Sequence, residues 1–266
     1  MNILKNLGKW FFSTDDVFKQ FEKFTLDGDD KEKRRIFIDR NSKVLFVAHA
    51  DTVLKPEFKS LSIDGLCIKA SGLDDRLGCM IAYELSEELQ ADLLITDNEE
   101  SCQSTAYYHD CKSYNWIVEF DRCGEDYVTY GLNNKDFMKQ LDKLWKHGMG
   151  SYSDICHLNS KKCRFNLGIG YFKAHAEDSY CHVEMAESQI ALFRQFYKDN
   201  YNTDFGNIKC DYEFDYREDF ELYNSEYLEC DICGGGDASE IFGYQLCENC
   251  MYELMQTDEN KVNDYY

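Results

Sequence analysis

Five short segments of this 266-residue chain carry side chains of the types that ligate divalent metal ions. Val44-Leu45-Phe46-Val47-Ala48 runs into His49-Ala50-Asp51. Gly72-Leu73-Asp74-Asp75-Arg76-Leu77-Gly78 opens a helical pattern. Leu93-Leu94-Ile95 runs into Thr96-Asp97-Asn98-Glu99-Glu100, and Trp116-Ile117-Val118-Glu119-Phe120 into Asp121-Arg122. Gly170-Tyr171-Phe172 leads to His175. Taken singly, each is ordinary: a loop carboxylate is usually solvated, and a lone His usually satisfies a local hydrogen bond. Five in succession, most of them at the ends of apolar runs, point to shared chemistry. Imidazole and carboxylate ligands suit zinc or a similar divalent ion. Two ions about 3.5–4 Å apart need one carboxylate that bridges them, plus one His and one carboxylate each. His49, Asp74, Glu100, Asp121 and His175 supply that set and leave Glu99 as a proton carrier. Glu99 and Glu100 divide these roles because neighbouring side chains of extended backbone point to opposite sides. Asp51, two residues after His49 on the same face, is placed to accept the second ring N–H and fix the tautomer.

These residues need a scaffold, and the patterning supplies one. Residues 36–38, 44–48, 93–95, 116–118 and 167–169 read as strands, while about 74–89, 134–147 and 183–198 read as helices. The alternation predicts an α/β, three-layer fold with a mostly parallel mixed sheet flanked by helices. In such sheets the loops beyond the carboxyl ends of the strands line the functional crevice, which is where most of these segments fall. Residues 1–30 read as one amphipathic segment. Trp10, Phe11, Phe12, Val17, Phe18 and Phe21 recur at helical spacing around the capping run Ser13-Thr14-Asp15-Asp16.

The ordered set His-x-Asp, Gly-x-Asp-Asp-Arg-x-Gly, Glu-Glu, Asp and a late His resembles the co-catalytic di-zinc exopeptidases, over about residues 35–200. That superfamily includes leucyl and glutamyl aminopeptidases, tripeptidases and carboxypeptidase G-like enzymes. The resemblance implies that His49, Asp74 and Asp121 bind one zinc, and that Asp74, Glu100 and His175 bind the other. It implies that Glu99 is the general base and that the Asp74–Asp75 peptide is cis. Members with an inserted lid, dimerisation or capping domain carry a long extra segment between motifs. The gaps here are short, which implies the single-domain aminopeptidase type. The run from His175 to Tyr180 lacks the acid that members often carry four residues after the His, so His182 is the rival last ligand. Gly150-Ser151-Tyr152-Ser153-Asp154 resembles a turn that borders the substrate pocket in some members. It reads equally as a helix N-cap through Ser153 or Asp154. His109, His147 and His157 match no ligand motif and read as structural or exposed.

A second signal lies near the carboxyl end. Cys230-x-x-Cys233 and Cys247-x-x-Cys250, thirteen residues apart, have the spacing of a closed four-thiolate zinc site. A pair of redox dithiols is the alternative, but neither pair sits in a βαβ context. Such a ribbon is too small to fold on apolar burial alone, so the metal supplies its folding free energy. Its expected role is structural, with a docking surface for a protein or another subunit. The other nine cysteines read as small buried hydrophobes. Between the two signals, residues 210–229 hold eight acids against the single base Arg217, interleaved with six aromatics. The expected organisation is a catalytic domain over 1–203, an acidic aromatic connector over 204–229, and the zinc ribbon and polar tail over 230–266.

Composition narrows the classes. The 29 basic and 50 acidic residues give a formal charge of −21, which repels phosphate backbones and argues against a nucleic-acid partner. No run approaches the roughly 20 apolar residues that span a bilayer, and no signal-peptide pattern opens the chain. Thirteen cysteines without one suggest a reducing, cytoplasmic setting. The expectation is therefore a hydrolase with two catalytic zinc ions and one structural zinc, acting on a small peptide or amino-acid conjugate. The alternatives are an idle scaffold that works through its ribbon, or a sister amidase acting on an N-acyl amino acid. A retained general base favours an enzyme, since a binding module has no need of one.

Overall fold

The computed structural model describes residues 2–62, 66–150 and 152–208, together with two short strands further on. The chain divides into two units, Met1–Lys209 and Cys210–Tyr266. The strands of the first unit are β1 (Thr25–Leu26), β2 (Arg35–Ile38), β3 (Val44–His49), β4 (Glu57–Leu61), β5 (Cys67–Ser71), β6 (Asp92–Thr96), β7 (Trp116–Glu119), β8 (Tyr127–Val128), β9 (Arg164–Leu167), β10 (Tyr171–Phe172) and β11 (Tyr180–His182). Its helices are α1 (Ile3–Leu7), α2 (Thr14–Gln20), α3 (Leu73–Leu89), α4 (Lys135–Leu141), α5 (Asp154–His157) and α6 (Val183–Asn200). In the second unit, β12 (Ser239–Ile241) and β13 (Tyr244–Leu246) pair antiparallel. The acidic connector residues 210–229 and the four ribbon cysteines lie outside the described residues. Residues 204–208, placed by sequence in the connector, belong to the first unit. Asn134 Nδ2 donates to the Phe205 carbonyl at 2.7 Å, and the Ile208 amide to the Lys161 carbonyl at 2.7 Å.

Seven strands form the main sheet in the order β1-β2-β6-β3-β7-β9-β8. The four central strands β6, β3, β7 and β9 are parallel neighbours, and the flanking strands pair antiparallel. Alternation along β3 explains the layers, because successive side chains leave opposite faces. Val44, Phe46 and Ala48 enter the large core with α1, α3 and α6, whereas Leu45 and Val47 enter a smaller one with Leu94, Ile117 and Ile155. Helices thus flank both faces, but among the described residues the second face carries only the four-residue α5 and the 3₁₀ turn Thr105–Tyr108.

Three expectations need correction. The amino-terminal segment is two helices, α1 and α2; the Ser13 hydroxyl accepts from the Asp16 amide at 3.2 Å and so caps the second. The helix expected over 134–147 stops at Leu141. The chain beyond it runs beside β8, with the Tyr127 amide donating to the Lys146 carbonyl and the Gly148 amide to the Tyr127 carbonyl. The strand expected at 167–169 is instead Arg164–Leu167. At Gly168 a Cβ would lie 2.8 Å from the backbone of Gly124 and Glu125, so that loop takes the place of a ladder. A second, four-stranded antiparallel sheet, β10-β11-β5-β4, was not foreseen. Among the described residues, no helix is long and apolar enough to cross a membrane.

His109 shows how the core handles a titratable group. Its side chain is 3% exposed, packs on the Phe37 ring at 4.5 Å, and leaves Nε2 without a partner. Burial, with the nearby Arg35 charge adding to it, lowers its pKa from 6.5 to about 4. The fold therefore holds neutral imidazole, while the unfolded chain takes up a proton below its ordinary pKa. The stability contributed at neutral pH is lost as pH falls from 6.5 towards 4. Linkage puts this loss at about 2 kcal/mol between pH 7 and pH 5. Urea unfolding of wild type and His109→Phe at both pH values checks it: wild type should lose that much more than the variant. Parallel losses would exclude it.

Candidate active site

The parallel strands bring three of the five segments to one end of the sheet. His49 is the last residue of β3, Asp121 lies two residues beyond β7, and the loop after β6 carries Glu99 and Glu100. Asp74 comes from the start of α3, where two motif glycines are required by space. Gly72 has φ +66°, and a Cβ there would meet Pro56 at 3.0 Å; at Gly78 one would overlap the Phe120 carbonyl and the Asp75 carboxylate. The Asp74–Asp75 peptide is cis, as the resemblance implies. His175 sits in the turn between β10 and β11 at φ +59°.

Among the described residues, two groups bring three metal-type ligand atoms within 4.8 Å of one another: His49, Asp74 and Asp121, and Asp74, Glu100 and His175. Asp74 belongs to both. Its Oδ1 lies 3.2 Å from His49 Nε2, and its Oδ2 lies 3.2 Å from His175 Nε2. His49 Nε2 is also 3.3 Å from Asp121 Oδ1, and His175 Nε2 is 2.7 Å from Glu100 Oε2. Glu99 Oε2 approaches His49 Nε2 at 3.8 Å but joins neither group. Buried Oδ1 of Asp74 and Oε1 of Glu100 have no hydrogen-bond donor. Buried carboxylate oxygens are normally satisfied, so these two are suited to cations. The residues fit a pair of divalent ions by donor type and by these orphaned oxygens. His182 stands elsewhere, exposed at the end of β11 with its ring against Phe172 and Tyr180 at 5.8 and 5.3 Å.

Electrostatics follow from burial. Desolvation opposes the charge on Asp74, yet His175 and His49 hold its carboxyl far below the ordinary range. Desolvation likewise opposes charge on His175, but Asp74 and Glu100 raise it to about 11. Glu99 is pushed well above its ordinary value by burial, with the Asp121 charge adding repulsion.

Several supporting residues escaped sequence reasoning. Asp51 does more than expected. His49 Nδ1 is 3.1 Å from its backbone carbonyl and 3.4 Å from Oδ1, while its carboxylate accepts from the Glu99 and Glu100 amides at 3.1 and 2.9 Å. Arg76, wholly buried, donates to the Ala50 carbonyl at 2.6 Å and twice to the Phe12 carbonyl. Arg34 ties buried Asp97 to Asp15, at 2.5 and 2.7 Å. Asn166 on β9 donates to Asp121 Oδ2 at 3.0 Å and accepts from the Asp121 and Arg122 amides. Glu119 on β7 is buried and hydrogen-bonded by Ser153. A charged or amide residue inside an otherwise apolar strand was the one available signal for Glu119 and Asn166. At Ser153 and Asp154 the N-cap reading fails. Ser153 precedes α5 without capping it, and Asp154 is bonded instead by the hydroxyls of Thr96 and Ser104. His147 and His157 pack on the Tyr127 and Tyr152 rings, away from the two groups.

The fold is one shared with solved peptidases. Aminopeptidase PepT from Bacillus cereus is 12% identical, with a TM-score of 0.52 over 73% of this chain and 97% of that one. A tripeptidase from Staphylococcus aureus is 10% identical, with a TM-score of 0.53 over 74% and 97%. The TET1 peptidase of Pyrococcus horikoshii, described as assembling into a tetrahedron or an octahedral shell, is 12% identical, with a TM-score of 0.52 over 72% and 98%. No family model matches the sequence, and neither does any curated protein.

Proposed function

We propose that this chain is a two-metal hydrolase cleaving an amide bond of a small peptide or amino-acid conjugate, an exopeptidase of aminopeptidase type. The observation that carries the reading is the position of Asp74, one oxygen toward His49 and the other toward His175. His49, Asp74 and Asp121 would hold one ion, and Asp74, Glu100 and His175 the other. Ions bound there supply Lewis acidity toward a carbonyl oxygen and lower the pKa of water. Glu99, beside the two groups but in neither, takes the proton of the attacking water and returns it to the leaving amine. Asp51 holds the Glu99–Glu100 backbone in register for that task. The nearby arginines are engaged: Arg34 with Asp97, Arg76 with carbonyls, and Arg122 with Asp126. That balance supports recognition of a substrate's free amine by carboxylates rather than of its carboxylate by a cation. The peptidases that share the fold support the reaction class. A third zinc belongs to Cys230, Cys233, Cys247 and Cys250, whose ribbon would serve a protein partner or self-association. The cysteine count supports a cytoplasmic setting.

The test is metal analysis of the purified chain combined with a screen of aminoacyl, N-acyl and dipeptide substrates. Three zinc ions per chain and turnover of an aminoacyl substrate are expected, from about two at the carboxylate site and one at the cysteines. About one zinc, released when the cysteines are modified, together with silence on every substrate, would refute the reading.

A further inference from the structure

The loop that carries Glu99 and Glu100 leaves β6 at Thr96 and returns at Ser104, where the 3₁₀ turn begins. Both end residues reach one group. The Thr96 and Ser104 hydroxyls hydrogen-bond the two carboxyl oxygens of Asp154, the first residue of α5. The same segment adds a third tie, the Ser104 amide donating to the Tyr152 hydroxyl at 3.3 Å. Asp154 is fully buried and belongs to neither ligand group. A carboxyl so deep is costly to desolvate, and both of its oxygens are committed to the two ends of one loop.

The bond inventory is that of a neutral acid. The Thr96 hydroxyl, with one proton, also lies 3.2 Å from the Ala48 carbonyl, and the Ser104 oxygen accepts from the Ala106 amide at 3.0 Å. All of these bonds form together when Asp154 carries a proton and donates to Thr96. Burial, the largest influence, pushes its carboxyl up to about 7, in the same direction.

We propose that Asp154 is a positioning residue. By tying Thr96 to Ser104 it closes the base of the 97–103 loop, and so fixes where Glu99 and Glu100 stand relative to His49 and Asp74. Asp51 holds the same loop at its apex through two amides, so the loop is clamped at both levels. Groups behind metal ligands commonly change ion affinity about 10–100-fold when removed, and small misplacements of a reacting group are comparably costly.

The test uses Asp154→Ala, Asp154→Asn and Ser104→Ala in the full chain. Three quantities are read: amide hydrogen exchange, zinc affinity by chelator competition, and kcat and KM. The kinetic reading rests on the hydrolase proposal; the exchange reading does not. In Asp154→Ala the Glu99 and Glu100 amides should exchange at least about tenfold faster, while β3 and β7 keep their protection. One of the two carboxylate-held ions should bind about 10–100-fold more weakly. The kcat should fall by about 10–100-fold with KM within about threefold. Asp154→Asn, which reproduces a neutral acid's acceptor and donor, should return all three to within about threefold of wild type. If Asp154→Ala does not fold, Ser104→Ala, which opens one end of the tie, carries the same test. Wild-type loop protection and ion affinity in the alanine variant would overturn the proposal. So would a uniform rise in exchange that includes β3 and β7, which marks a purely structural role. A wild type that binds no ion pair and turns nothing over sinks the hydrolase reading instead, and the loop exchange then decides on Asp154 by itself.

Discussion

Glu99→Gln is expected to lower kcat by at least about 10²-fold, the usual cost of losing a general base, while both carboxylate-held ions stay in place. The separation follows from geometry. Glu99 approaches His49 Nε2 at 3.8 Å yet stands outside both ligand groups, so the amide should leave His49, Asp74, Glu100, Asp121 and His175 undisturbed. Its backbone amide is held by Asp51, a bond the substitution does not touch. KM should therefore move little, and the loss should fall on kcat, because the proton transfer is made only in the transition state. Zinc content measured beside steady-state rates separates the outcomes. Loss of an ion would make Glu99 a ligand. Full metal with unchanged turnover would mean that another group moves the proton.

What the sequence disclosed and what it concealed divide along a physical line. His49, Asp121 and the Glu pair were legible because each follows a largely apolar run within a few residues, and strand ends in a parallel sheet converge. Asp74 was legible because its motif carries two glycines, one needed for a positive φ and the other for close approach to β7. The choice between His175 and His182 was hard to read, since both border the same hairpin. The structure separates them by backbone: His175 occupies a left-handed turn aimed at Asp74, whereas His182 ends β11 among aromatic rings. Asn166, Glu119 and Arg76 were concealed for another reason. Their partners lie 45, 34 and 26 to 64 residues away, and no local period reports on such bonds. The second sheet was hidden because all five residues of β4 are exposed, leaving no apolar alternation to read.

Asp74 allows the sharpest measurement, because among the described residues it belongs to both candidate ligand groups while each other member belongs to one. Asp74→Ala should release both carboxylate-held ions and bring turnover to background, leaving about one zinc on the cysteines. His175→Ala removes a ligand from a single group and should release one ion, keeping the one held by His49 and Asp121. Asp74→Asn adds a finer distinction. An amide offers one acceptor oxygen and one donor nitrogen, so it serves one side of the pair and repels a cation on the other. Zinc content should then fall by about one ion, not two, if the carboxylate bridges. In the metal-free chain Asp74 sits 3.2 Å from each imidazole. Asp74→Ala therefore strips both rings of a shared counter-charge, and the His175 pKa should drop from its raised position, visible by imidazole NMR titration. Equal zinc losses in Asp74→Ala and His175→Ala would mean that the carboxylate serves one ion alone, and the two-ion mechanism would fall with it.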